Sequence, residues 1–246
     1  MLIVALDTTT RPGSCAVSRD GVVLYEASGD PTREQAARLP GEIMATLANA
    51  GVTVRDVDAF AVATGPGSFT GLRIGIASMQ GLAFALNTPL VGVSALDALA
   101  TIARASVAPE GSVEGVGFSA APIATWVDAW RGEVYAATYR VGQPVEPPVV
   151  ARPADLLRFL RAGRTLFIGD GAVTYRELIV GALAADARIA DPATPTLAGT
   201  IARLATTALM AGDRPGPHAI RPIYVRRPDA VLARQSRQES AGAHAD

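Results

Sequence analysis

The sequence predicts an α/β protein built from two lobes, and three observations point to this fold class. A short apolar strand, Leu2–Leu6, opens the chain and is followed by two strands joined at Asp20-Gly21. Helical and strand patterns then alternate up to residue 105, which gives the order β-β-β-α-β-α-β-α. A second hairpin with its own helices follows in residues 106–227, so one topology is expected to occur twice.

The first lobe, residues 1–105, contains each of these elements in turn. The unbroken apolar run Leu2–Leu6 is typical of a central strand buried on both faces, and Asp20-Gly21 is typical of a two-residue hairpin turn. Pro40-Gly41 should kink or divide the first helix. The predicted elements are the strands Leu2–Leu6, Ser14–Arg19, Val22–Ala27, Ala59–Ala63 and Leu90–Val93, and the helices Thr32–Ala50, Thr70–Leu86 and Ala95–Arg104. Their order is that of the actin-like ATPase superfamily, a ribonuclease H-like fold.

The second lobe is expected in residues 106–227, after a boundary rich in Gly, Ser, Pro and Ala at Ser106–Ala121. Residues 228–246 are polar and small, and we expect a flexible tail there. The predicted elements are a hairpin of Ile123–Asp128 and Glu133–Arg140, the helix Pro153–Leu160, the strand Thr165–Ile168, the helices Val173–Leu183 and Thr196–Met210, and an extended segment Gly212–Arg227.

The composition is that of a globular protein without an electrostatic footprint for nucleic acid. Of 246 residues, 49% are hydrophobic and 18% are charged, and the formal net charge is −1. RNA phosphates are bound by clustered cations. All 22 basic residues are Arg, and Arg158, Arg161, Arg164, Arg226 and Arg227 are spaced like ordinary surface charges. We therefore expect any contact with tRNA to be indirect.

The cellular location follows from two further features. Cys15 is the single cysteine, which excludes an internal disulfide and fits a reducing compartment. The first apolar stretch is too short for a signal segment, and no run reaches the roughly 20 apolar residues of a membrane span. The sequence therefore predicts a cytoplasmic protein with a buried, unreactive thiol.

The segment Gly65–Gly75, GPGSFTGLRIG, links a predicted strand to a helix. Its glycines permit a tight turn, and the amides at the helix start can either bind an anion or be capped by Ser68 or Thr70. On the helix, the small residues Gly71, Gly75 and Ser78 form a stripe beside the apolar stripe of Leu72, Ile76 and Met79. A stripe of small residues permits close helix packing, against either the first helix of this chain or a different chain.

These residues resemble the TsaB family. The similar segments are Ala5–Thr8, Gly65–Gly75, Gly81–Ala83, Pro89–Ser94, Asp128–Tyr135, Gly169–Gly171 and Pro222–Arg226, and they occur in family order. One departure is Glu34, which stands six residues before Pro40 where the family usually has a histidine.

The resemblance implies a non-catalytic scaffold for N6-threonylcarbamoyladenosine at tRNA position 37. In this family the protein forms a heterodimer with TsaD and supports the ATPase TsaE, and the same surface can form a homodimer. The contact is expected on faces of the helices Thr32–Ala50 and Thr70–Leu86. The candidate interface residues are Glu34, Leu39, Ile43, Gly71, Leu72, Gly75, Ser78 and Met79.

The resemblance also implies that this chain has no metal site and no catalytic residue. TsaD holds a metal with an HxxxH pair, but Ala95 and Leu99 occupy the corresponding places here. The two histidines, His218 and His244, lie in the extended segment and the tail. We therefore expect that this chain requires no cofactor, with ATP and magnesium acting in the assembled complex.

An enzyme remains the alternative prediction. An actin-like kinase or nucleotide hydrolase would use Asp7 and Asp128 with magnesium, and Thr8 could contact the nucleotide. The loop after Asp7 has Thr9 where that superfamily has a glycine, which favours a turn role for Asp7. A peptidase has no support, because the sequence offers no metal pair and no nucleophile with a neighbouring base.

Overall fold

A computed structural model describes residues 1–107, 118, 120–140, 143–160 and 163–225. The first sheet has the order β3-β2-β1-β4-β5. It consists of β1 (Leu2–Asp7), β2 (Ser14–Arg19), β3 (Val22–Ser28), β4 (Ala59–Gly65) and β5 (Leu90–Ser94). The first three strands are antiparallel, and β4 and β5 run parallel to β1. Asp20 and Gly21 both have positive φ, as the predicted hairpin turn requires.

The helices of the first lobe are α1 (Gln35–Asn49), α2 (Phe69–Leu86) and α3 (Ala95–Ser106). The predicted start of α1 at Thr32 is wrong, because the amide and hydroxyl of Thr32 both donate to Asp30 Oδ1 in a local turn. Pro40 does not divide the helix, which continues through it with Pro40 on the exposed side. The helix α2 begins where Ser68 Oγ accepts a hydrogen bond from the Gly71 amide.

The second sheet repeats this plan with the order β11-β10-β6-β7-β8, and β9 pairs with β7. The predicted hairpin is confirmed, with Asp128 opposite Val134, and β10 runs parallel to β6. The strands are β6 (Ile123–Asp128), β7 (Val134–Arg140), β8 (Gln143–Pro144), β9 (Val149–Ala151), β10 (Thr165–Ile168) and β11 (Ala187–Ile189). The sequence did not indicate β8, β9 and β11, which have only two or three residues each.

The helices of the second half are α4 (Pro153–Leu160), α5 (Asp170–Thr174), α6 (Arg176–Leu183) and α7 (Ala198–Met210). The prediction of a single helix at Val173–Leu183 is wrong, because the helical conformation is interrupted at Tyr175, which separates α5 from α6. The predicted boundary Ser106–Ala121 is only partly described, and the predicted tail 228–246 lies outside the described residues, as do Arg161, Arg226 and Arg227.

The fold has five layers, which are two sheets, a pair of helices between them and a pair of helices on each outer face. Three apolar clusters hold these layers together. One cluster packs α1 and α2 on the outer face of the first sheet, and another packs α4 and α6 on the outer face of the second. The central cluster joins both sheets through α3 and α7. The helix α7 therefore packs against β1, β2 and β4 of the first sheet, although its sequence position placed it in the lobe 106–227. The placement of α7 against the first sheet depends on contacts between residues far apart in sequence, which local periodicity does not encode.

Candidate functional site

A cleft between the two lobes has a volume of about 670 Å³, within the usual range for ligand pockets. Its walls are the end of β1, the loop from Thr9 to Ser14, the starts of α1 and α2, the end of β6, the start of α5, and residues 194–197. Three aspartates, Asp7, Asp128 and Asp170, line it. The cleft therefore contains Asp7 and Asp128, the two aspartates that the alternative prediction assigns to nucleotide chemistry.

Asp7 ends β1 and is only 3% exposed. Its Oδ1 accepts hydrogen bonds from the Thr9 amide at 2.8 Å and the Thr9 hydroxyl at 2.6 Å. Burial raises the pKa of the Asp7 carboxyl above its usual value, and repulsion from Asp170 and Glu26 adds to this, against the lowering effect of the Thr9 hydrogen bonds. Asp7 therefore acts as a buried turn residue in this structure.

Asp128 and Asp170 meet across the ends of β6 and β10. Asp170 Oδ1 accepts from the amides of Asp128 and Gly171, both at 2.9 Å, and Asp128 Oδ1 accepts from the Trp130 amide at 2.9 Å. Burial is the main cause that raises the pKa of Asp170, and the charge of Asp128 raises it further. Both side chains thus fix loops at the cleft floor.

The amino end of α7 borders the cleft, and its amides are already paired within the chain. Ser14 Oγ accepts from the amides of Leu197 at 3.2 Å and Ala198 at 3.0 Å. Glu26 Oε1 accepts from the Gly199 amide at 2.9 Å. Helix amino ends attract anions because their amides are unpaired. At α7 the Glu26 carboxylate and the Ser14 hydroxyl occupy these amides in place of an anion.

The loop after β1 packs closely against α2. A Cβ added to Gly67 would lie 2.6 Å from Thr9 Cβ, and one on Gly75 would lie 2.9 Å from Thr8 Cγ2 and closer still to Thr8 Oγ1. Thr8 is completely buried and does not line the cleft. The Thr8 side chain therefore packs against the small stripe on α2, and its predicted nucleotide contact stays a prediction.

Arg38 holds the same loop from the other side. Its guanidinium donates to the carbonyl oxygens of Arg11 at 2.9 Å and Pro12 at 2.7 Å and pairs with Glu42. The Gln35 side chain donates to the Thr10 carbonyl at 2.9 Å. Both donors stand on α1, so this helix fixes the loop that forms one wall of the cleft.

A second candidate surface lies on α1 and α2, on the sides that face away from the first sheet. We call it the α1–α2 face, and its exposed residues are Ala37, Gly41, Met44, Ala48, Ala77, Gly81 and Phe84. Phe84 is 83% exposed and Met44 57%. The residues Phe69–Leu86 are long and apolar enough to span a membrane, yet α2 packs on β4 with about a third of its length buried.

The residues predicted for the interface mostly lie inside the fold. Six of them are buried in the chain's own core or against its loop, namely Leu39, Ile43, Gly71, Leu72, Gly75 and Met79. Ser78 is half-buried and donates to the Ile74 carbonyl at 2.8 Å, and Glu34 is exposed just before α1. Most of these residues therefore lie on the sides of α1 and α2 that the structure buries, and their place at an interface stays a prediction.

At the start of α3, Ala95 and Leu99 stand where a metal-binding histidine pair would be, and neither side chain can hold a metal. Ala95 and Leu99 are both buried in the central apolar cluster. Among the described residues, no three or more His, Cys, Asp or Glu side chains come together as a metal site would require. The prediction that no metal binds here stays a prediction.

Sequence reasoning missed Asp170, Ser14 and Glu26 as residues of this site. For Asp170 a signal existed, because it follows β10 as Asp7 ends β1 and Asp128 ends β6. No local pattern connects Ser14 or Glu26 with α7, which lies more than 170 positions further along the chain.

Two sheets of one topology with a cleft between them define a two-lobed protein of the actin-like class. The family model described as TsaD, tRNA N6-adenosine threonylcarbamoyltransferase, matches residues 23–191. The chain therefore belongs to the family that this model describes. An uncharacterized Mycobacterium tuberculosis protein is 34% identical over 93% of both chains. The tRNA threonylcarbamoyladenosine biosynthesis protein TsaB of Escherichia coli is 36% identical over 57% of this chain and 55% of its own.

Solved structures agree with this membership. YeaZ from Pseudomonas aeruginosa superposes with a TM-score of 0.71 at 27% identity, covering 91% of this chain and 100% of that one. Component A of the (R)-2-hydroxyglutaryl-CoA dehydratase of Acidaminococcus fermentans has a TM-score of 0.53 at 11% identity, over 85% of this chain and 99% of that one. The second likeness shows the fold alone. Together they confirm the predicted two-lobed fold.

Proposed function

We propose that this chain is a non-catalytic subunit of tRNA threonylcarbamoyladenosine biosynthesis that binds a TsaD partner through the α1–α2 face. The observation that carries this proposal is the exposed apolar surface of Met44, Ala77, Gly81 and Phe84 on two adjacent helices. Exposed apolar patches of this kind mark protein contacts. We place this contact in the cytoplasm, where tRNA is modified. A TsaD lobe of the same fold would supply two helices that pack against α1 and α2.

The shape of the face supports a helical partner. Apart from the glycine itself, its chain neighbours and the adjacent backbone of its own helix, no described atom lies within 4 Å of the place where a Cβ would stand on Gly41 or Gly81, so both positions open onto free space. Small residues such as these let a second helix approach closely, while Met44 and Phe84 project as knobs. The same features would allow a homodimer when TsaD is absent.

The cleft supports the non-catalytic part of the proposal. The amides that could bind phosphate at α7 are paired with Ser14 and Glu26, and the loop after Asp7 is packed against α2. Asp7, Asp128 and Asp170 each accept a hydrogen bond from a backbone amide, and these bonds fix the local turns. ATP and magnesium would therefore act in the assembled complex, with TsaE, and tRNA contact would be indirect.

Binding measurements on the full chain with the TsaD protein of the same organism test the proposal. Gly81→Arg and Ala77→Arg should abolish the heterodimer in size-exclusion chromatography, because a charged side chain in the centre of an apolar interface is desolvated without a partner. Phe159→Arg is the matched control, since Phe159 is an exposed apolar residue of α4 on the other lobe. Circular dichroism verifies that all three variants are folded.

The result that would contradict the proposal is normal heterodimer formation by folded Gly81→Arg protein. The rival enzyme is tested separately by calorimetry with ATP and magnesium on the isolated chain. We expect no turnover by the isolated chain and formation of threonylcarbamoyladenosine only when the partner proteins and tRNA are added. Nucleotide consumption at enzyme-like rates by this chain alone would support the kinase or hydrolase.

A further inference from the structure

One arginine at the edge of the α1–α2 face is held in place by two aromatic rings. The Arg73 guanidinium lies 3.8 Å from the ring centre of Phe69, and its Nε donates to the Tyr224 hydroxyl at 3.0 Å. The rings of Phe69 and Tyr224 are themselves 5.2 Å apart. Cation–π contacts and this hydrogen bond fix the direction of the guanidinium before any partner arrives.

The segment that carries Tyr224 is anchored to the first lobe. The Ile223 amide donates to the Thr64 carbonyl at 2.7 Å. Gln80 of α2 donates to the carbonyls of Pro217 at 2.8 Å and Ile220 at 3.1 Å. The stack of Phe69, Arg73 and Tyr224 is therefore part of a fixed surface along α2.

In the part of the chain that the structure describes, no acceptor contacts the terminal nitrogens of Arg73. Over the described ranges, no carboxylate lies within ion-pair distance of this guanidinium, and its one hydrogen bond uses Nε. By contrast, the buried Arg38 donates to two carbonyls and pairs with Glu42. Arg73 thus presents an oriented fork of donors, with Phe69 40% and Tyr224 41% exposed beside it.

We infer that Arg73 binds a carboxylate of the partner protein, an Asp or Glu on the helix that docks on the α1–α2 face. This inference rests on the proposed function. A guanidinium fork matches a carboxylate through two parallel hydrogen bonds. Arg and aromatic residues dominate interface binding energy where neighbouring side chains exclude water. Phe69 and Tyr224 provide such neighbours.

The charge pattern along α2 favours a protein carboxylate over an RNA phosphate. The exposed α2 residues near Arg73 are Thr70, Ala77, Gly81 and Phe84, all uncharged. Surfaces that bind RNA phosphates collect several cations, whereas one fork suffices for a single carboxylate. Arg73 is about one helical turn from Ala77 on α2, so the partner's acidic residue would lie about one turn from the residue that packs on Ala77.

Calorimetric titration of the full chain with TsaD tests the inference. Arg73→Gln should weaken binding about 30-fold or more, the scale for removing one member of a desolvated charge pair. Arg73→Lys should recover only part of the affinity because an ammonium cannot form the fork. Tyr224→Phe should have a smaller effect, since the ring remains. Arg158→Gln, an exposed arginine of α4, is the matched control and should bind normally.

A charge exchange gives a readout that altered folding cannot mimic. Arg73→Glu should abolish binding, and replacing the contacting Asp or Glu of the TsaD docking helix with Arg should restore it. If Arg73→Gln binds with normal affinity while Gly81→Arg does not bind, the inference fails and the proposed function stands. If Gly81→Arg also binds normally, the proposed function fails. If Arg73→Gln instead lowers the affinity of the chain for a tRNA transcript without affecting TsaD, an RNA phosphate is the ligand and the inference is overturned.

Discussion

Thr8 packs directly against the backbone of Gly75, at the point where the loop after β1 meets α2. A Cβ on Gly75 would overlap Thr8, and the buried Thr8 hydroxyl has no hydrogen-bond partner among the described residues. Gly71 makes a similar approach, since its Cβ would lie 2.6 Å from the Gln35 side chain. The small residues of the GPGSFTGLRIG segment therefore let the loop after β1 pack directly against α2.

We predict that Gly75→Ala destabilises the fold. The added methyl group must displace Thr8 in a packed interior, and overpacking of this kind costs about 1–3 kcal/mol. Gly81→Ala in the same helix is the matched control, because its Cβ points into free space. It should be neutral or stabilising by up to about 1 kcal/mol, the helix preference of Ala over Gly. Urea unfolding of both variants measures the difference, and equal stabilities would contradict the assigned packing.

We predict that Arg38→Met lowers the free energy of unfolding by about 2–3 kcal/mol, because hydrogen bonds to charged groups are lost and the Arg11 and Pro12 carbonyls lose their donor. Arg158→Met removes an exposed pair with Asp155 at 3.7 Å and should cost less than about 1 kcal/mol. Chemical denaturation of both variants gives the comparison. If Arg38→Met costs as little as Arg158→Met, the loop after β1 does not depend on the hydrogen bonds of Arg38.

We predict that Asp7→Asn becomes more stabilising, relative to wild type, as pH rises. The folded-state pKa of Asp7 is above its usual value of 3.8, mainly through burial, so the folded state holds this proton more tightly than the unfolded chain. The stability linked to the protonated form is therefore present below about pH 3.8 and is lost as pH rises through the folded-state pKa.

Asn keeps the Oδ1 acceptor for Thr9 and cannot ionise. The difference in melting temperature, Asp7→Asn minus wild type, should therefore grow from about pH 4 to pH 7 in thermal unfolding. Asp30→Asn is a control with the opposite sign, because its hydrogen bonds with Thr32 lower the pKa of Asp30. A difference for Asp7→Asn that shrinks with rising pH would refute the assignment.

We predict that Cys15 does not react with thiol reagents in the native protein at neutral pH. Its side chain is buried in β2, and burial above all raises its pKa to about 12, so the thiolate is scarce as well as inaccessible. Ellman's reagent should label one thiol per chain in denaturant and none in native buffer on the same timescale. Rapid labelling of the folded protein would show that β2 opens.

The sequence predicted the order of elements well because that order is written in local patterns. Apolar runs, helical spacing and the turn at Asp20-Gly21 located β1 to β7 and α1 to α4, and the absence of histidine at Ala95 and Leu99 is visible by reading. Short strands such as β11, at Ala187–Ile189, escaped prediction because three residues carry too little pattern. The interruption between α5 and α6 also escaped prediction, because it involves the single residue Tyr175 and leaves no local pattern.

By itself, then, the sequence determined the two-lobed fold, the TsaB resemblance and the lack of a histidine metal pair. Only the tertiary structure decided which side of α1 and α2 is exposed, how Asp170 meets Asp128, and that Glu26 caps α7. Periodicity shows that a helix has two apolar sides, but the sheet covers one of them through contacts between residues far apart in sequence. The remaining side, with Phe84 and Arg73, is identified by what the fold leaves uncovered.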